Sequence, residues 1–172
     1  MVKVDVLRYP TEYDWELCKL CAITTLGLRK VVDKPDDEWK RRMLRARHTP
    51  IRSLHFLIRL DEVPSFVATH LARHVHMQPY IQTKRNDLQP DQHAGRETPV
   101  IMVVDTNAEE LMAIANKRLC GKAHERTREV VMDMSRAVIE TNPEFKPFLV
   151  PFCMEYGCHE FEPCGDQERY LP

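Results

Sequence analysis

Glycine is scarce, with five in 172 residues, and no apolar run approaches the length that crosses a bilayer. The longest, Phe66-Val67-Ala68 and Pro99 to Val104, exclude a spanning helix. An excess of either charge is also missing. Twenty-five Lys and Arg stand against 26 Asp and Glu, a net charge of −1, which excludes wholesale attraction to nucleic acid or to an anionic membrane. Electrostatic binding must therefore be local. The opening M-V-K-V-D-V lacks the apolar core of a signal peptide and alternates like a strand, so the expected location is cytoplasmic. Internal repeats and low-complexity tracts are absent as well.

The residues present are those of a globular protein: 43% apolar, 30% charged, long enough to bury one core. The reading is one α+β domain, residues 1–172, with a small, mostly antiparallel sheet packed by long helices and an irregular cysteine-bearing tail at 143–172. Val2, Val4 and Val6 mark a first strand. Thr11 caps a helix expected to bury Leu17, Leu20, Cys21, Thr24 and Leu28. Pro35, Asp36 and Asp37 open a second helix to about Arg47, with Trp39, Met43 and Leu44 inward. Ser53 to Leu60 alternates as a strand, Asp61-Glu62 turns, and Pro64 starts a helix to about Val75. Residues 78–83 form a loop or short strand because Pro79 stops the helix. Residues 86–97 read as an exposed loop, and Pro99 to Val104 as a strand. Asp105 or Asn107 then caps the longest helix, to about Glu140, with Leu111, Ile114, Ala115, Leu119, Ala123, Val130, Met134 and Val138 as its apolar stripe.

The most concentrated feature is H-L-A-R-H-V-H-M-Q-P-Y-I-Q-T-K-R, residues 70–85, where three histidines, two arginines and a lysine stand without an acid. On the expected helix His70, Arg73 and His74 share a face. A metal, a phosphorylated ligand or plain solvent could meet that face. The zinc form H-E-x-x-H needs a glutamate where Leu71 stands, and Arg73 opposes a cation. An anion or a carbonyl-rich ring suits an arginine fork with imidazole donors. Arg118, Lys122 and Arg126 add a second basic ridge at a spacing of four, which an anionic ligand or Glu125 and Glu129 would relieve.

These segments resemble the flavin-dependent thymidylate synthases. R-H-V-H-M-Q-P-Y-I-Q-T-K-R from Arg73 is similar to the family's R-H-R-x-x-S-x-x-x-x-S-x-R. H-T-P-I-R-S-L-H from His48 looks like its H-x-x-P-F-E-H segment. N-A-E-E-L-M-A-I-A-N-K-R-L-C-G-K-A-H-E-R from Asn107 resembles its long helix, and F-C-M-E-Y-G-C-H-E-F-E-P-C-G the tail of some members. Arg73, His74, Arg85, Asn107 and Arg118 are retained, with His124 in place of a glutamine. Val75 replaces an arginine, Gln78 and Thr83 replace serines, and His70 replaces a glutamine. Arg52 or Ser53 stands where the family has glutamate, Glu109 where it has arginine, and Ala113 where it has asparagine. The stretch between Arg85 and Asn107 is short.

The resemblance implies reduced FAD as hydride carrier, methylenetetrahydrofolate and NADPH as co-substrates, and methylation of a uracil nucleotide at C5 (dUMP to dTMP or a close analogue). Arg118 and Arg85 are then the catalytic candidates. His70, Arg73, Thr83, Arg85 and Arg118 would bind the nucleotide, and Arg73, His74, Asn107, Lys122 and His124 the flavin. A homotetramer with sites shared between subunits is implied too. The alternatives are hydroxymethylation, a non-catalytic pyrimidine-nucleotide-binding homologue, and a nucleic-acid-binding module using Arg41, Arg42, Arg45 and Arg47, which the neutral overall charge disfavours.

Six cysteines in a reducing compartment read as thiols or metal ligands. Cys18 and Cys21 look like small buried residues of a helix. Cys153, Cys158 and Cys164, C-x4-C-x5-C with Gly157 and Gly165 for tight turns, look like a metal knuckle, with Cys120 or His159 as the fourth ligand of a structural zinc.

Overall fold

A computed structural model of the chain describes residues 2–31, 33–85, 87, 88, 95–165 and 172. Its centre is an antiparallel sheet in the order β1-β2-β4-β3, from β1 (Lys3–Arg8), β2 (His55–Pro64), β3 (Met77–Ile81) and β4 (Pro99–Asn107). Register follows the alternation of side chains, with Val4 opposite Leu60, Ile58 opposite Val104, and Tyr80 opposite Val103. One sheet face carries Phe56, Ile58, Leu60, Met102 and Val104, all fully buried. Each such side chain contributes about 1.5–3 kcal/mol by leaving water. The α+β reading with a small antiparallel sheet therefore stands. Residues 61–62 do not turn the chain: β2 continues to Pro64 through a bulge, with Glu62 at φ 64°.

Helix α1 (Glu12–Thr24) begins at Thr11, whose hydroxyl and backbone exchange hydrogen bonds with Asp14. Its buried face is Trp15 and Cys18, whereas Leu17, Leu20, Cys21, Thr24 and, beyond its end, Leu28 face outward. The expected stripe was therefore the wrong face. Burial of one indole is worth about 4–6 kcal/mol from its ~150–250 Å². Its N–H is also satisfied inside, since Trp15 Nε1 donates to Glu144 at 2.9 Å. Burial pushes the Cys18 thiol up to about 12, leaving it an inert apolar group, while Cys21 is exposed.

Helix α2 (Asp37–Ala46) is capped by Asp36 and stopped by Arg47 in the left-handed region. Met43 and Leu44 are buried, and Trp39 meets Trp15 edge to face. A 3-10 turn (Thr49–Ser53) leads into β2.

Two helices differ from the sequence reading in ways that matter for the site. The helix after β2, α3 (Ser65–Leu71), stops four residues short of Val75, because Met77 must turn back to pair with Thr106 on β4. The long helix is two: α4 (Ala108–Arg118), capped by Asn107, and α5 (Glu125–Thr141). The apolar stripe is nonetheless inward, with Leu111, Ile114, Ala115, Leu119, Val130, Met134 and Val138 buried. The break lies at Gly121, where the Arg128 guanidinium takes up the carbonyls of Gly121 and Ala123. Another 3-10 turn (Pro143–Phe145) and the short α6 (Phe152–Tyr156) follow. Among the described residues, no helix is long and apolar enough to cross a membrane.

Candidate functional site

The polar centre forms where the end of α3 meets α4 and the start of α5. The sheet sets its depth: β4 delivers Asn107, whose side chain accepts from the Glu110 N–H at 3.0 Å, so Glu110 lies in the first turn of α4 and is buried. A buried carboxylate needs a partner. It finds His74, whose Nδ1 lies 2.9 Å from Oε1. On the other side of the ring, Arg118 Nε donates to His74 Nε2 at 3.2 Å, and Arg118 Nη2 donates to the His70 carbonyl at 3.1 Å.

This arrangement fixes the proton. Guanidinium nitrogens only donate, so His74 Nε2 carries the lone pair and Nδ1 the hydrogen directed at Glu110. His74 is thus a neutral imidazole. Burial holds its pKa below the ordinary value, Glu110 opposes this, and Arg118 and Lys117 add to the lowering. Burial and the Arg73 charge also lower Arg118, which stays protonated at neutral pH.

His70 sits behind this unit, its Nδ1 3.0 Å from the buried Thr127 hydroxyl. Burial, then the charges of Arg118, Arg73, His124 and Arg96, hold it below its usual pKa. Its ring meets Phe66 and His124 edge to face, and Arg96 lies 5.0 Å above the Phe66 ring. Three imidazoles, of His70, His74 and His124, and the guanidinium groups of Arg73, Arg96 and Arg118 thus converge where one buried acid is already paired. Chemically, this is a place for an anion or for carbonyl oxygens.

Arg118 also lines a cavity of about 820 Å³ between α4, the α4–α5 connection and α6. Lys117 and Lys122 stand on its rim, and Cys120, Cys153, Cys158 and Cys164 border it. One wall is anchored: Arg47 Nη2 donates to Glu155 at 2.7 Å and to Asn116 at 2.5 Å, while Asn116 donates to the Val150 carbonyl at 2.7 Å.

No protein-family profile and no curated protein matches the sequence. Solved structures match its fold. Thymidylate synthase X from Helicobacter pylori, crystallised with FAD and dUMP, superposes with a TM-score of 0.66 at 11% identity, over 78% of this chain and 92% of that one. Flavin-dependent thymidylate synthase from the same organism, complexed with FAD and dUMP, gives 0.69 at 12%, over 85% and 99%. The UMP/dUMP methylase PolB from Streptomyces cacaoi, bound with 5-Br dUMP, gives 0.63 at 13%, over 86% and 96%. The chain has the flavin-dependent thymidylate synthase fold.

Within that fold the predicted site residues divide. His70, His74, Arg118 and His124 come together with Arg73, although Arg73 and His74 lie past the end of α3 and not on a helical face. Arg73 is exposed and makes no hydrogen bond or ion pair among the described residues. Lys122 reaches the cavity from the connection, so the ridge of Arg118, Lys122 and Arg126 does not exist as a helical stripe; Arg126 pairs with Glu129 at 3.1 Å. Thr83 and Arg85 stand apart. The Thr83 hydroxyl accepts from the Arg85 N–H, and Arg85 forks onto Asp87 at 3.0 and 2.6 Å. Asn107 acts as a helix cap.

Glu110 and Thr127 were missed from sequence. Glu110 had a signal, since it lies three residues after an Asn cap at the position of a capping-box acid. Thr127 had none. Two apparent departures from the family also prove to be partners: Arg52 Nε donates to Glu109. Among the described residues, no three cysteine, histidine or acidic side chains already stand within reach of one metal ion.

Proposed function

We propose that the chain is a flavin-dependent enzyme that methylates C5 of a uracil nucleotide, dUMP or a close analogue, taking the carbon from methylenetetrahydrofolate and reducing equivalents from NADPH. The observation that carries this reading is the clamped Arg118, fixed by His74 and the His70 carbonyl at the edge of a basic cavity, in a fold shared with proteins crystallised on dUMP. A guanidinium held on one side by neutral acceptors keeps its remaining donors for an anion or a uracil carbonyl. Because it is already oriented, little reorganisation is needed as charge develops on the pyrimidine.

Bound flavin would supply the hydride. The residues present suit it: Arg73 and Lys122 are exposed cations for a diphosphate, His124 offers a ring nitrogen, and Val75, 86% exposed, presents methyl groups that a flat ring can cover. His74 would act differently from a direct flavin ligand. Its two nitrogens are spent on Glu110 and Arg118, so it positions Arg118. Thr83 and Arg85 would bind the nucleotide phosphate from a neighbouring subunit of a cytoplasmic homotetramer.

Absorption spectroscopy tests the proposal. Protein supplied with FAD should hold the flavin through gel filtration, and addition of dUMP should perturb its visible band. Turnover with methylenetetrahydrofolate and NADPH should yield dTMP by chromatography. Tight dUMP binding with no flavin retention would instead establish a non-catalytic nucleotide-binding homologue.

A further inference from the structure

The thiols around the cavity are not used by any step above. Four of the six cysteines, Cys120, Cys153, Cys158 and Cys164, border one space, although they come from the α4–α5 connection, α6 and the tail. Their supports differ. Cys120 follows α4 directly, and Cys153 sits on α6, which the Arg47–Glu155–Asn116 network ties to α4. Cys158 and Cys164 lie on a segment with almost nothing to hold it. Among the described residues, 158–165 make no backbone–backbone hydrogen bond, and Phe161 is 100% exposed. Among the described residues, the segment is attached by Cys120 Sγ to Glu160 at 4.0 Å and by the His159 ring against Phe152 at 5.0 Å. Neither offsets the backbone entropy of ordering eight residues, at about 1–2 kcal/mol each.

We propose that Cys120, Cys153, Cys158 and Cys164 bind one zinc ion, which fastens the 158–165 segment across the cavity mouth. Zinc favours four sulfur ligands in a tetrahedron, and structural sites commonly form as the peptide folds around the ion. Two ligands here are on fixed elements and two on a loose segment, so the tetrahedron closes by moving the segment. Gly157 and Gly165, at φ +82° and +74°, bracket it and supply turns that side chains resist. The charge also balances: a tetrathiolate zinc centre carries a net −2, and Lys117, Lys122 and Arg118 line the same space. His159 is occupied by Phe152 and is left out of the ligand set. On binding, each thiol gives its proton to solvent as its sulfur joins the metal, and nothing is oxidised.

The inference does not rest on the enzymatic reading, and its test reads no activity. Protein purified without chelators should carry about one zinc per chain by mass spectrometry of metals. Exchange for cobalt(II) should give sulfur-to-metal charge-transfer bands and the intense visible absorption of a tetrahedral ion. Cys158→Ser and Cys164→Ser should each lower zinc affinity at least about 10-fold, as loss of one of four ligands demands. Cys21→Ser, on the far helix, should leave the metal content unchanged, and circular dichroism of each variant checks that the body is folded. Protein without metal whose four thiols all react with a thiol reagent would overturn the site. So would a cobalt spectrum unaltered in both tail variants, or a disulfide among these cysteines in freshly purified protein.

Discussion

The two halves of the segment 70–85 have opposite fates. The first, His70 to His74, is locked into the body: one ring on Thr127, the other between Glu110 and Arg118. The second, Thr83 to Arg85, is half-buried up to Lys84, which donates to the Gly95 carbonyl, and ends on Arg85, whose side chain is 69% exposed and pairs with the nearby Asp87. A single run of basic residues thus contains a half fixed in the body and a half that ends at the surface. The difference comes from what each half meets. β4 and α4 bring a buried acid to the first half, whereas the edge strand β3 ends at Ile81, Gln82 makes the last pairing with Ile101, and the second half leaves the sheet.

The strongest way to break the contrast is Arg118→Ala. It removes the group joining the locked half to the cavity and leaves the His74 Nε2 acceptor and the His70 carbonyl without their donor. Loss of a partner to a partly buried acceptor costs about 1–3 kcal/mol, readable as a lower urea midpoint. Uracil-nucleotide binding by calorimetry should fall by roughly 100-fold, about 2.7 kcal/mol. If the midpoint drops while affinity is untouched, Arg118 is a structural pin and the ligand lies elsewhere.

A smaller effect tests the protonation state of the locked half. His74 and His70 both have pKa values below 6.5 in the folded chain. Below about pH 6.5 the unfolded chain takes up protons at these rings that the native state refuses. Stability contributed by the neutral rings is therefore fully present above that pH and is lost as pH falls toward the depressed native values. His74→Gln keeps a donor for Glu110 and an acceptor for Arg118 but cannot titrate. Its urea midpoint should fall less than the parent's between pH 7.5 and 5.5, and an identical slope would show that His74 takes up its proton in the native state as readily as in the unfolded chain.

Much of this is legible in the sequence. Three of the four strands, the Thr11 cap, the start of α2 at Asp36 and Asp37, and the fold follow from alternation, capping chemistry and motif order; the structure chooses Asn107 over Asp105 as the α4 cap and makes a strand of Met77–Ile81. Local pattern failed where tertiary geometry overrode it. The stripe of α1 pointed outward because one tryptophan with a hydrogen-bonding partner outweighs partly covered leucines. The helix from Pro64 ended early because Met77 had a strand to join. Arg52 and Glu109 looked like two unrelated departures because 57 residues separate them, and only the fold shows them paired. The Glu110–His74–Arg118 chain was invisible for the same reason: a glutamate's burial is decided by the sheet beneath it.

The gentlest change addresses the open half. Arg85→Ala removes an exposed fork on Asp87, and such pairs contribute a few tenths of a kcal/mol, so the urea midpoint should stay within about 0.5 kcal/mol of the parent. Nucleotide affinity should nonetheless fall about 10-fold, because a guanidinium released from Asp87 can take two phosphate oxygens and alanine cannot. Arg85→Lys sharpens the point: it keeps the charge but not the fork, and should recover only part of the loss. Mixing Arg85→Ala subunits with Arg118→Ala subunits asks the remaining question. If the two halves meet across a subunit boundary, the mixture regains sites with both arginines intact, and some tight binding returns. If the mixture binds no better than either variant alone, the open half serves its own chain or no ligand at all.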